Sequence, residues 1–211
     1  QTAGFSLTAQ QPQNNISRTA FQALAAVLGG TQSLHTNSMD ETLCLPSQEA
    51  AEIALRTQQL IGFETGVTNV VDPLGGSWYV EELTNKMEKE AYKYFSKIDK
   101  LGGVIPAIEM GYFQREIAEA ASDYQRRVDS KRRVVVGVNE FTKNDEEIDI
   151  PILEIRKEVQ NEQIEGLKLL RGKRKNKVVI SKLRAITDAS RTKENLIPLI
   201  IDAAKAHATL G

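Results

Sequence analysis

The sequence predicts an α/β fold that turns mainly helical after about residue 47. Three observations carry this. Two short β-prone runs near the start flank one helical stretch, with brief connections between them. From Ser47 onward, apolar residues recur at helical spacing. Glycine and proline pairs then cut the chain into helix-sized pieces.

The elements follow in order. "FSLTAQ", residues 5–10, predicts a strand. "ISRTAFQALAAVLGG" predicts a helix with Ile16, Ala20, Leu24 and Val27 on its core face and Gly29-Gly30 as its stop. "TQSLHT", 31–36, predicts a second strand. The order β, α, β with short connections favours parallel pairing. Two strands cannot bury their faces alone, so the sheet must continue elsewhere. Ser47 predicts a helix N-cap, with Glu49 in the first turn and Ile53, Thr57, Leu60 and Ile61 on one face. "VVDPLGGSWYVE" reads as a turn-rich connector. Leu83, Met87, Ala91, Tyr94 and Ile98 stripe the next helix. "KLGGVIPAIEMGYF" breaks it and starts a short one, and Phe113, Ile117, Ala121, Tyr124 and Val128 stripe another long one. "RRVVVGV", 132–138, predicts a third strand, and "NEFTKNDEEIDIP" a polar linker. Beyond Pro151, Ile155, Val159, Ile164, Leu167 and Leu170 mark a helix, and "RGKRKNK" a basic break. Thr192 predicts the cap of the last helix, with Pro198 in its first turn.

A length of 211 residues allows one or two domains with a sizeable core. A net charge of −1 gives no reason to expect nucleic acid or an acidic membrane as partner. No apolar run approaches the ~20 residues of a membrane helix, and no basic, apolar leader opens the chain. The lone Cys44 cannot form an internal disulfide, so a reducing compartment such as the cytoplasm is expected.

In parallel α/β folds, sites gather where strands end and loops begin. Two such ends occur, at Ala9-Gln10-Gln11 and at "HTNSMDE", 35–41. Two readings stand side by side for Asn37 and Asp40: caps of a local turn, or site residues. His35 reads as a core or lining histidine, since Cys44, nine positions on, is not at zinc spacing. "RGKRKNK" holds five basic residues in seven and reads as a solvated loop. Gly29-Gly30 and Gly75-Gly76 lack the full phosphate-loop patterns.

The longer blocks carry a resemblance. "QTAGFSLTAQQPQNNISRTAFQALAAVLGGTQSLHTNSMDETLCLP" resembles the late barrel segment of the cobalamin-dependent acyl-CoA mutases. "NVVDPLGGSWYVEELT", "GGVIPAIEMGYFQREIAEAASDYQRRVDSKRRVVVGVNEF" and "NLIPLIIDAAKAHATLG" resemble the segments that follow it in that family. The resemblance implies that residues 1–66 are the last two β/α units of a TIM barrel and 67–211 a helical region that wraps it. It also implies an acyl-CoA substrate, adenosylcobalamin as cofactor, and a radical carbon-skeleton rearrangement.

Site residues follow from the resemblance position by position. Gln1 and Gln32 match substrate-side residues. Gly4 and Phe5 match positions packed on the corrin side, where the family often has tryptophan in place of Phe5. Asn37 and Glu41 match the residues that hold the adenosyl ribose. Thr42 stands for a usual alanine beside the corrin, and Gln125 matches a glutamine that reaches the cobalamin. The family's catalytic Tyr-His pair and its cobalt-ligand motif, D-x-H-x-x-G, do not occur: His35 follows Ser33 by two positions and His207 follows Lys205. The cobalt ligand is therefore expected from another domain or a small subunit, and the isolated chain is expected to be inactive. An oligomer and a GTPase chaperone are further implied partners.

Overall fold

Eight α-helices make up most of the described residues: α1 Asn14–Leu28, α2 Gln48–Glu64, α3 Trp78–Lys100, α4 Val104–Glu109, α5 Tyr112–Asp129, α6 Lys157–Lys173, α7 Asn176–Ala189 and α8 Leu196–Lys205. The structure, a computed structural model, describes residues 1–144 and 150–210. The middle of the expected polar linker, 145–149, lies outside the described residues. Contacts divide the chain into two units, Gln1–Leu153 and Glu154–Gly211. No helix among the described residues is long and apolar enough to cross a membrane.

Helix boundaries follow local chemistry. Ser47 caps α2 as its sequence position predicts, its hydroxyl accepting from Ala50 N at 3.2 Å. Gly29 ends α1, and Gly30, at φ 77°, turns the chain out of it. The final cap is a correction: Asn195, not Thr192, caps α8, its Oδ1 accepting from Ile197 N at 3.0 Å. Pro198 falls in the first turn of α8, where its missing N–H costs nothing.

The expected strands are the main correction. No strand occurs among the described residues, so the α/β reading of this chain by itself does not hold. Residues 4–6 form a 3-10 turn and 31–36 run irregularly. One backbone bond, Thr2 N to His35 O at 3.0 Å, joins the two segments. A sheet needs further paired neighbours to repay the ordering of its strands, and this segment has none. The run at 132–138 becomes a turn built by one side chain. Asn139 accepts from Val135 N at 2.7 Å and donates to Val128 O and Arg133 O, both at 2.8 Å. Gly137, at φ 82°, closes the turn against Glu140 O at 2.8 Å. A Cβ there would stand 3.0 Å from the Gln11 side chain.

The buried face of α1 is also not the one its apolar stripe predicts. Asn15, Thr19 and Ala23 are buried, while Ile16, Ala20, Leu24 and Val27 are half-buried. Asn15 is 0% exposed and fills all four of its side-chain hydrogen-bond positions. Its Oδ1 accepts from Thr8 N at 3.0 Å and Arg18 Nη1 at 2.8 Å; its Nδ2 donates to Thr8 O and Met39 O, both at 2.8 Å. Arg18 extends the network by donating to Val136 O at 2.8 Å. α1 packs on α2, which buries Ala50, Ala54, Thr57 and Ile61.

A polar clasp links α3 to α5. Tyr94 OH donates to Glu116 Oε2 at 2.9 Å, and Lys97 Nζ to Glu116 Oε1 at 3.2 Å. Lys97 also lies 4.6 Å above the Tyr112 ring. The hydrogen bond from Tyr94, then that from Lys97, holds the Glu116 carboxyl below its ordinary value. The same bonds to Glu116 raise Tyr94 and Lys97 above theirs.

In the second unit, α7 packs on α8, and Lys182 pairs with Asp202 at 2.7 Å. The basic break falls at Arg174-Lys175. Arg174 is not merely solvated: its Nη1 donates to His207 O at 3.1 Å, tying the break to the C-terminal segment.

Two outcomes are expected. Asn15→Ala strands three backbone groups and lowers stability by ~2 kcal/mol or more, read from the urea midpoint. For the clasp, the depressed Glu116 contributes stability above the usual carboxylate range, lost as pH falls through its lowered value. The raised Tyr94 and Lys97 contribute below their usual ranges, lost as pH rises through their raised values. Thermal midpoints across pH should therefore fall at both extremes, and Glu116→Gln should flatten both limbs.

Candidate functional site

The segment after the single 2–35 backbone bond holds a dense polar cluster. Asn37 is 3% exposed and each of its polar groups is engaged. Its N–H donates to Thr2 Oγ1 at 2.9 Å, and its carbonyl accepts from Thr19 Oγ1 at 3.3 Å. In its side chain, Oδ1 accepts from the Thr2 hydroxyl and Nδ2 donates to Glu41 Oε2 at 2.5 Å. The other carboxylate oxygen, Glu41 Oε1, accepts from Ser38 N at 2.8 Å. Each oxygen of Glu41 keeps a second lone pair, and its side chain stays 24% exposed. The cluster thus presents an acceptor-rich carboxylate, held from behind and open in front. His35 Nε2 stands 4.0 Å from Glu41 Oε1, its side chain 63% exposed, so His35 is not a core residue.

Asp40 takes the bland role allowed for it by the sequence. It is buried, and its Oδ2 accepts from Ser47 N at 2.8 Å, so it clamps the loop to the start of α2. Its Oδ1 has no hydrogen-bond partner among the described residues. Asn37 caps nothing in its own turn; it braces Glu41 instead.

The other sequence-named residues divide. Gly4 joins the cluster: a Cβ on it would lie 3.4 Å from Asn37 Nδ2, so glycine leaves the amide room. Phe5 is exposed, and its ring meets Tyr124 edge-on with centroids 6.2 Å apart. That contact brings α5, one residue from Gln125, to the same end of the first unit. Gln125 is exposed and donates to Asp129 Oδ1 at 2.7 Å. Thr42 is exposed and donates to Thr8 O at 3.3 Å. Gln1 is exposed, next to Thr2. Gln32 is not brought to the Asn37 cluster by any contact; it lines a separate hollow of about 190 Å³ with Gln58 and Ile61. Sequence reasoning missed Thr2, Asn15 and Ser38. Only a paired "NN" ahead of an apolar run hinted at Asn15, because nothing local marks a threonine whose partner is 35 positions away.

The arrangement suits recognition of hydroxyls. A carboxylate with outward lone pairs accepts from sugar hydroxyls, and the one imidazole beside it, His35, stands at 4.0 Å. Among the described residues no group of three or more His, Cys, Asp or Glu side chains is placed to hold a metal.

The family model described as methylmalonyl-CoA mutase matches residues 1–211. The chain belongs to the methylmalonyl-CoA mutase family. Within the family it is 46% identical over 212 residues to "Methylmalonyl-CoA mutase" of Escherichia coli (strain K12). It is 43% identical over 213 residues to "Methylmalonyl-CoA mutase, mitochondrial" of Homo sapiens. It is also 43% identical over 212 residues to "2-hydroxyisobutanoyl-CoA mutase large subunit" of Aquincola tertiaricarbonis. Each match covers 100% of this chain but only 30%, 28% and 38% of those family members, respectively. The chain spans roughly a third of the length of these relatives.

The carboxylate's two donors give a prediction. Glu41→Gln leaves one acceptor oxygen for two donors and turns its own NH₂ toward the other. Stability should fall by ~1–2 kcal/mol in urea denaturation. Hydrogen exchange at the Ser38 amide should quicken.

Proposed function

We propose that this chain is part of the catalytic region of an adenosylcobalamin-dependent acyl-CoA mutase that interconverts methylmalonyl-CoA and succinyl-CoA. In this reading residues 1–66 supply the last two β/α units of a TIM barrel and 67–211 the helical wrap. The observation that carries it is the braced, outward-facing Glu41 beside Asn37 and Gly4. The many exposed apolar side chains, Phe63, Val71 and Trp78 among them, fit a segment seated against further parts of a larger enzyme. The 2–35 backbone bond fits two neighbouring strands of a sheet completed elsewhere.

The residues suit the cofactor. Glu41 would accept hydrogen bonds from the hydroxyls of the adenosyl ribose, with Asn37 holding the carboxylate in place. Gly4, Phe5 and Thr42 would pack on the corrin side, and Gln125 would reach its edge. Gln1 and Gln32 would hydrogen-bond the acyl-CoA without adding charge. Adenosylcobalamin, when bound, supplies the radical chemistry, with its cobalt ligand on another domain or a small subunit. The chain's own contribution is to bind, orient and exclude water from the enclosure. An oligomer and a GTPase chaperone belong to the same proposal, as does a cytoplasmic location.

The equal identity to the 2-hydroxyisobutanoyl-CoA mutase large subunit supports a second reading, in which the reaction class is the same and the acyl group differs. Turnover of the assembled enzyme with each acyl-CoA separates the two. A scaffold role is tested by Glu41→Ala in the assembled enzyme. Adenosylcobalamin affinity should drop by ~10–100-fold, the worth of a hydrogen bond to a charged group, with assembly size unchanged. Unchanged affinity and turnover would favour a non-catalytic assembly piece.

A further inference from the structure

Asn37 is held at two of its polar groups by a residue outside every set that the family resemblance names. Thr2 is buried, and its hydroxyl makes two bonds to one partner. It accepts from Asn37 N at 2.9 Å and donates to Asn37 Oδ1. Its own N–H donates to His35 O at 3.0 Å. In a parallel β-pair with that bond, the N–H of residue 37 would go to the carbonyl of residue 2. Here the Thr2 hydroxyl takes that N–H in the carbonyl's place. The departure from ladder geometry puts a hydroxyl, with a proton to donate, at the side chain of Asn37.

The consequence is chemical. A threonine hydroxyl has one proton. The hydroxyl can also accept from an amide N–H, so it is the acceptor-only Glu41 carboxylate that fixes Nδ2 at its own end; the Thr2 proton then meets Oδ1 at the other and holds it there. Nδ2 meets that carboxylate at 2.5 Å. With the amide reversed, Oδ1 would face Glu41 and the two would repel. We infer that Thr2 is the positioning residue of the Asn37–Glu41 pair, holding Asn37 by both its N–H and its Oδ1 where Nδ2 braces the carboxylate. The same residue joins the Gln1 segment to the site loop, so one side chain holds the proposed substrate-side segment against the cofactor-side one. The inference rests on the ribose-site reading given above.

The test uses the assembled enzyme with adenosylcobalamin and its acyl-CoA substrate. Thr2→Val keeps the shape and removes both hydrogen bonds. It should raise the KM for adenosylcobalamin about tenfold and change kcat at saturating cofactor far less. Thr2→Ser keeps the hydroxyl and should restore the KM to near the parent value. In an Asn37→Ala background, Thr2→Val should add nothing further, because its effect passes through that amide. Should Thr2→Val not assemble, Thr2→Cys, close in volume with a weaker donor, is read instead and should give an intermediate rise. An unchanged cofactor KM in the valine or cysteine variant overturns the inference. So does equal impairment by serine and valine, or additivity with Asn37→Ala. If Asn37→Ala leaves the cofactor KM unchanged, the ribose reading fails and this inference with it. If Asn37→Ala raises it while Thr2→Val does not, only the role of Thr2 fails.

Discussion

The first unit turns on two buried asparagine side chains that leave no polar atom unused. The Asn37 side chain binds Thr2 and Glu41; that of Asn15 binds Thr8, Arg18 and Met39. A buried amide that misses a partner costs more than a satisfied one contributes, so such networks tolerate one geometry and reject neighbouring ones. That constraint shapes the site. The loop from Asn37 to Asp40 is gripped at Asn37 from the first residues of the chain, at Met39 from α1, and at Asp40 from the start of α2. Glu41 leaves this grip with both oxygens already oriented.

The same network explains why the buried side of α1 is polar. An apolar stripe is normally the core-facing one, because burial of apolar area is the dominant favourable contribution to folding. Here the stripe through Ile16 and Leu24 is only half-buried, while Asn15 and Thr19 are enclosed. The polar side must face the site loop, whose backbone groups need partners. Arg18 then carries the network to the turn at Val136, and Asn139 organises that turn. Distant parts of the chain are thus registered by hydrogen bonds more than by packing.

Family membership and geometry bear on different questions. Membership rests on the match across residues 1–211, and relatives named for different acyl-CoA mutases are about equally similar to the chain. Geometry bears on what this segment can do. It offers carboxylate hydrogen-bond acceptors held in a conformationally specified loop, with His35 beside them.

The sequence by itself determined most of the helices, the cap at Ser47, the stop at Gly29 and the basic break. These are legible because a helix satisfies its backbone within a few residues, so its signals lie close together in the chain. It misplaced the strands at 5–10, 31–36 and 132–138, because β-prone residues form a ladder only when neighbours exist to pair with. Only the tertiary structure decided that the Thr2 hydroxyl bonds Asn37, that Asp40 clamps α2 while Asn37 braces Glu41, and that Gln32 lines a separate hollow. Each of these depends on contacts between residues far apart in the chain or on which way a side chain turns within a loop. No periodicity or local composition records either.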